Sequence, residues 1–145
     1  MTDKINLNYN VPITESAYVD GDFIIQGIAI NETITSNNHK FIAEELAKSA
    51  DSLTGAPLLI DHENKISNIK GRVLKGMYNE TAKRVDFRAK VMDQEIRTMI
   101  RDGRINSVSV GAEVSDIEEC DGVLIPRGIK FRELSLVAVP ADANA

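Results

Sequence analysis

Apolar and polar residues alternate along much of this chain, and a period of two predicts a protein built mainly from β-strands. The alternation is cleanest over residues 84–91, where charged residues separate valine, phenylalanine and alanine, which is typical of an antiparallel strand with one face in solvent. Segment 22–30 is apolar at most positions and predicts a central strand. Further strands are predicted over 57–63, 66–78, 107–114, 114–120, 123–125 and 129–139.

Two segments have the apolar spacing of amphipathic helices instead. The first is expected to follow an N-cap at Ser36 or Asn37 and to reach about Ala50. The second is expected to begin after an N-cap at Asp93. Many strands, two short helices and no β-α-β rhythm predict an α+β domain built on an antiparallel sheet or a closed barrel. Residues 1–21 are polar and irregular, and we expect a flexible N-terminal segment or an edge strand there.

Composition narrows the class of protein. The 145 residues are 43% hydrophobic and 27% charged, as in an ordinary globular domain. The net charge of -5 argues against a nucleic-acid partner, because phosphate contacts need an excess of lysine and arginine. No apolar run approaches the ~20 residues of a membrane span, and the N-terminus lacks the pattern of a secretory signal. We therefore expect a cytoplasmic protein without a membrane partner.

The segment 107–114 is predicted to be both a strand and a site. Its valines and alanine form one apolar face, and the other face carries Ser107, Ser109, Gly111 and Glu113. A glycine two positions after a serine leaves open space beside the hydroxyl, where another backbone can approach. That arrangement suits a nucleophile, although an ordinary amphipathic strand with serines in solvent explains the same pattern.

A nucleophilic serine needs a base and a group that orients the base. Of the two histidines, His62 follows four apolar residues at the mouth of the core, whereas His39 falls in the first turn of the predicted surface helix. Glu133 lies in a strand between apolar residues, and a partly buried carboxylate needs a partner. That partner is either a histidine or an arginine, and both interpretations are open. The candidate arginines are Arg72, Arg127 and Arg132.

Other chemistries receive less support. In Asp61-His62-Glu63 only the two acids share a face of a strand, and no second histidine or cysteine stands at a ligand spacing, so we expect neither a metal nor a cofactor. A glycosidase pair is possible among 22 acids, but nothing selects one, and the chain has no tryptophan. An esterase or amidase acting on small substrates is also possible, although the chain lacks the Gly-x-Ser-x-Gly elbow of the α/β-hydrolases.

Four segments taken together resemble the prohead, or capsid maturation, serine proteases of tailed phages. They are PLLIDHE at 57–63, GRV at 71–73, SVSVG at 107–111 and ELSLVAVPA at 133–141, in that order. The resemblance implies the fold of the herpesvirus assemblin proteases, a mainly antiparallel β-barrel core with a few surrounding helices. It further implies a protease domain over 22–141 and a tail at 142–145, which could be the cut end of a longer precursor.

The same resemblance assigns roles to individual residues. His62 matches the family's catalytic histidine, and Ser109 matches the nucleophile. In the assemblin branch the third member is a second histidine on a later strand, and Glu133, 24 residues after Ser109, lies close to that position. The resemblance thus implies that Glu133 orients His62. Gly111 and Ser107, on the face of Ser109, are expected to contact substrate.

The activity implied is that of a serine endopeptidase which processes scaffold and major capsid proteins, and itself, inside the procapsid in an infected cell, with self-association as a control. The alternative is a catalytically inactive capsid assembly or scaffold module of the same fold. Assemblin proteases supply their oxyanion donors from an arginine-bearing loop after the last strand of the site. The matching residues 140–145 include no arginine, so either backbone amides or residues beyond this chain would have to act.

Overall fold

The computed structural model describes residues 5–32, 34 and 38–138, and over 5–12 it describes the backbone alone. Within these residues the chain forms nine strands and two α-helices, joined by turns that include 3₁₀ turns at Ala50–Leu53 and Ile66–Asn68. In chain order the elements are β1 Ile5–Val19, β2 Asp22–Asn31, α1 Ala43–Ser49, β3 Pro57–Ile60, β4 Gly71–Asn79, β5 Arg84–Val91, α2 Gln94–Arg101, β6 Ser107–Val114, β7 Asp116–Cys120, β8 Val123–Arg127 and β9 Lys130–Val137.

Seven of these strands close into a barrel in the order β1-β2-β5-β4-β3-β9-β6. The pairings among them are antiparallel, except that β3 and β9 run parallel. The β7 and β8 strands form a separate hairpin. The expected barrel with a few helices is therefore confirmed, and its sheet is mixed rather than purely antiparallel.

Side chains fill the interior of the barrel. Phe23, Phe87 and Phe131 are almost completely buried there, together with the inward-facing valines, leucines and isoleucines of the strands. Each fully buried side chain of this size contributes about 1.5–3 kcal/mol relative to exposure. Because the barrel is filled in this way, polar side chains that act together must lie on its outer face.

The N-terminal segment contributes a strand to the barrel. Residues of β1 pair with β2 over 13–19 and with β6 over 5–12. The polar composition of this segment is compatible with both pairings, because cross-strand hydrogen bonds depend on the backbone and not on side-chain polarity.

The first helix begins later than its pattern predicts. The predicted N-caps, Ser36 and Asn37, lie outside the described residues, whereas Ile42 precedes α1 and has an extended backbone. His39 is not in a helical turn, because it forms a β-bridge with Leu124 of β8. Hydrogen bonds of 2.8 Å from Lys40 N to Leu124 O and from Leu124 N to Asn38 O hold this segment against the hairpin.

An ion pair attaches the β7–β8 hairpin to α1. The Arg127 guanidinium lies 3.4 Å from the buried carboxylate of Glu45, whose other oxygen accepts a 2.9 Å hydrogen bond from Gly128 N. Burial acts to lower the pKa of Arg127, but the carboxylates of Glu118 and Glu45 outweigh it, so the pKa is raised above its ordinary value.

Asp93 caps α2 as predicted, and it supplies a test of the fold. Its Oδ2 accepts a 3.0 Å hydrogen bond from Ile96 N. Replacement of Asp93 by alanine is expected to lower the free energy of unfolding by about 1 kcal/mol, because that amide loses its acceptor. Urea denaturation measures the change. Asp93→Asn is the control, since it keeps an acceptor, and an equal loss in both variants would contradict the capping role.

Candidate active site

Strand β6 carries Ser109 and has the bounds that the sequence predicts. Val108, Val110, Ala112 and Val114 are buried in the core, and the alternation turns Ser109 to the outer face of the barrel. Ser109 nevertheless has a relative exposure of 0%. Other parts of the protein therefore cover it on that outer face.

Strand β9 lies beside β6 and carries Glu133. Gly111 pairs with Glu133, but the next residue of β6 pairs with Phe131, so β9 contains a bulge at Arg132. Strict alternation would place Phe131 on the same face as Glu133. The bulge instead turns Phe131 into the core, where it is 2% exposed, and leaves Glu133 on the outer face.

The parallel pairing of β3 with β9 brings His62 to the same place. Strand β3 ends at Ile60, opposite Leu136, and the next amide, Asp61 N, donates to Leu136 O at 3.0 Å. Asp61 and His62 then adopt left-handed backbone conformations, with φ of 53° and 57°. Such conformations cost about 1–3 kcal/mol each in residues other than glycine. This turn carries the imidazole over the outer face of β9.

The side chains of Ser109, His62 and Glu133 form one hydrogen-bonded chain. Nε2 of His62 lies 2.8 Å from Oγ of Ser109, and Nδ1 of His62 is hydrogen-bonded to Oε1 of Glu133. Because a carboxylate oxygen accepts, Nδ1 carries the proton and Nε2 is left to accept from the serine hydroxyl. The side chains of His62 and Glu133 are 24% and 14% exposed. The arrangement has the geometry of a serine, a general base and an orienting acid.

Ser135 is a fourth member of this cluster that sequence reasoning missed. Its Oγ donates to Oε2 of Glu133 at 2.7 Å and accepts from the backbone N–H of His62 at 3.0 Å. It is completely buried and pairs directly with Ser109 across β6 and β9. The only sequence signal was its position two residues after Glu133, on the same face of the strand.

Gly111 and Ser107 lie on the same face as Ser109 but have different surroundings. The Glu133 carboxyl group occupies the space beside Gly111, because a Cβ there would lie 3.0 Å from Cδ of Glu133 and closer to Oε1. The hydroxyl of Ser107 donates to Oδ1 of Asn106 at 3.1 Å. A role for either residue in substrate binding stays a prediction, and the structure supplies another reason for a glycine at 111.

Two of the arginines named as possible partners of Glu133 have other carboxylates beside them. Arg132 lies 2.6 Å from Glu113, and Arg127 pairs with Glu45 and Glu118. Glu133 instead contacts His62 and Ser135.

The acids on either side of His62 do not form a metal site with other described residues. Asp61 and Glu63 are exposed, and the described residues contain no cluster of three side chains able to hold a metal ion. Residues 140–145, where the resemblance places the oxyanion loop, lie outside the described part of the chain.

Comparisons with known proteins identify the fold. No protein-family model matches the chain, and no curated protein matches its sequence. Among solved structures, the chain is similar to the capsid assembly protease gp21 of bacteriophage T4, with a TM-score of 0.71 and 16% sequence identity over 95% of this chain and 99% of that chain. The chain thus has a prohead protease fold, as the sequence resemblance implied.

The space beside Gly111 supplies a test of the site. Gly111→Ala is expected to displace the Glu133 carboxyl group and to slow the labelling of Ser109 by a small fluorophosphonate about 10²-fold, since a displacement of about 1 Å in a supporting group has effects of that size. The labelling rate is followed by mass spectrometry under conditions that promote assembly. Ser49→Ala is the control, because the Ser49 hydroxyl donates to Leu46 O of its own helix. Unchanged labelling of Gly111→Ala would contradict this account of the site.

Proposed function

We propose that this protein is a serine endopeptidase that processes scaffold and capsid proteins, and itself, during maturation of a viral procapsid. The observation that carries the proposal is the continuous hydrogen-bonded chain from Ser109 through His62 to Glu133. Three side chains from three separate strands or strand ends meet there in the order that acyl transfer requires.

The proposed mechanism follows from the direction of these hydrogen bonds. Nε2 of His62 accepts the hydroxyl proton of Ser109 as Oγ attacks the scissile carbonyl. Glu133 accepts from Nδ1–H, which holds the ring in this tautomer and stabilises the imidazolium that forms. His62 then donates the proton to the leaving amine, and later activates a water molecule that hydrolyses the acyl-enzyme.

The proposed substrates rest on the structural similarity to a phage capsid assembly protease. Because a fold alone does not establish a function, this similarity supports the class of substrate and not a particular cleavage site. Scaffold and major capsid proteins inside the procapsid of an infected cell are the proposed substrates. Within the described residues, no helix is long and apolar enough to cross a membrane.

The burial of Ser109 supports the proposal that proteolysis is delayed until the capsid assembles. With an exposure of 0%, its hydroxyl is out of reach of a peptide carbonyl in this conformation. A conformational opening must therefore precede catalysis. We propose that self-association during capsid assembly provides it, so that an enzyme synthesised beside its substrates does not cut them early.

Variants of the proposed nucleophile and base provide the main test. Ser109→Ala and His62→Ala are each expected to reduce kcat by about 10⁶-fold, because the two residues act as a unit. Glu133→Gln is expected to cost less, about 10⁴-fold, since it alters orientation and charge but leaves the base in place. The measurement is cleavage of the cognate scaffold or capsid precursor, followed by mass spectrometry under conditions that promote assembly.

Each outcome of this experiment discriminates between functions. Undiminished cleavage by both alanine variants would overturn the assignment of the site. No cleavage by the wild type, with the precursor still bound, would favour the inactive assembly module of the same fold.

Self-processing has its own test. A longer precursor that ends beyond Ala145 is expected to be shortened in the wild type and to stay intact as Ser109→Ala. Intact-mass measurement of both proteins after expression decides the question. The same shortened mass in both would assign the cut to another protease.

A further inference from the structure

We infer that Ser135 is a positioning residue that holds Glu133 and His62 in their reactive arrangement. This inference rests on the proposed function, because it concerns the same reaction at Ser109. The hydrogen bonds of the Ser135 hydroxyl run to Glu133 and to the backbone of His62. Ser135 acts through these two neighbours, which it joins by one hydroxyl group.

The hydrogen bonds of Ser135 form a closed ring with the other two residues. A serine hydroxyl has one proton to donate and lone pairs to accept. Ser135 donates to Oε2 of Glu133 and accepts from the backbone N–H of His62, while Oε1 of Glu133 accepts from the His62 ring. The ring begins and ends on His62. It therefore fixes the imidazole relative to the backbone of the same residue.

Glu133 needs such a partner because the intrinsic preference of its side chain does not set the plane of its carboxyl group. The last torsion of a glutamate is broad and has no sharp preferred angle. On the side of β6 its neighbour is Gly111, which has no side chain to confine it. The 2.7 Å bond from Ser135 to Oε2 thus selects the rotation that points Oε1 at His62.

His62 needs the same hydroxyl for a different reason. Its backbone is left-handed, with φ of 57°, and follows another left-handed residue, Asp61. Such a turn persists only where surrounding contacts hold it. The acceptor for His62 N is Oγ of Ser135, which is completely buried and therefore has no water to compete for the bond.

A purely structural role would also explain a buried, satisfied hydroxyl, so the test must separate structure from positioning. Ser135→Ala removes the hydroxyl, and Ser135→Cys fills the same buried space with a much weaker donor. Ser49→Ala is the matched control, because Ser49 is also buried but its hydroxyl donates to Leu46 O of its own helix.

The first measurement is the rate at which a small fluorophosphonate labels Ser109 under conditions that promote assembly. Both Ser135 variants are expected to react about 10- to 100-fold more slowly than the wild type, as expected for the loss of a hydrogen bond to a charged group. The probe concentration for half-maximal rate should stay the same, because Ser135 does not contact the probe. Ser49→Ala should react at the wild-type rate.

The second measurement does not depend on activity. The chain has two histidines, so the downfield proton NMR signal of His62 Nδ1–H can be assigned by its loss in His62→Gln. We expect this signal to broaden or move upfield in both Ser135 variants and to persist in Ser49→Ala. A role limited to stability would leave the signal and the labelling rate of the folded variants unchanged.

The outcomes separate this inference from the proposed function. Wild-type rates and an unchanged signal in both Ser135 variants would overturn the positioning role, even if His62→Ala abolished cleavage. Equal slowing in Ser49→Ala would overturn it as well. A wild type that neither cleaves nor is labelled would count against the proposed function, while the NMR signal would still decide whether Ser135 orders His62 and Glu133.

Discussion

The pairing of β9 with its two neighbours is the constraint on which the candidate site depends. One edge of β9 runs parallel to β3 and the other antiparallel to β6, so the histidine, the serine and the acid all take their positions from one strand. Buried Leu134 and Leu136 alternate with Glu133 and Ser135 along it. A slip of one residue would exchange these two sets between the core and the outer face, and the hydrophobic core therefore fixes the geometry of the polar site.

Patterns among neighbouring residues predicted individual strands and helices, but they did not predict which distant strands pair. The alternation over 84–91 and 107–114 has the bounds of β5 and β6, and Asp93 caps its helix, because these features depend on neighbouring residues. The parallel pairing of β3 with β9 joins residues more than seventy positions apart. The residues around Arg132 do not predict its bulge either, because Phe131 turns inward only as a result of packing in the barrel.

The candidate site was partly predictable for a related reason. Ser109, His62 and Glu133 could be selected because each belongs to a residue type with a known chemical role, and the structure brings all three together. Ser135 has a common side chain in an apolar run. Its hydrogen bonds to Glu133 and His62 form only because the chain fold brings β9 next to the turn at His62. Supporting residues of this kind depend on tertiary contacts and leave little trace in a single sequence.

The central claim is that Ser109 is the nucleophile, and the most direct measurement is the location of a covalent adduct. The wild-type protein would be treated with a fluorophosphonate under assembly conditions, digested and sequenced by tandem mass spectrometry. One adduct is expected, on Ser109, and it should be absent from His62→Ala. An adduct on Ser107 or Ser135 instead, or equal labelling of Ser109 without His62, would contradict it.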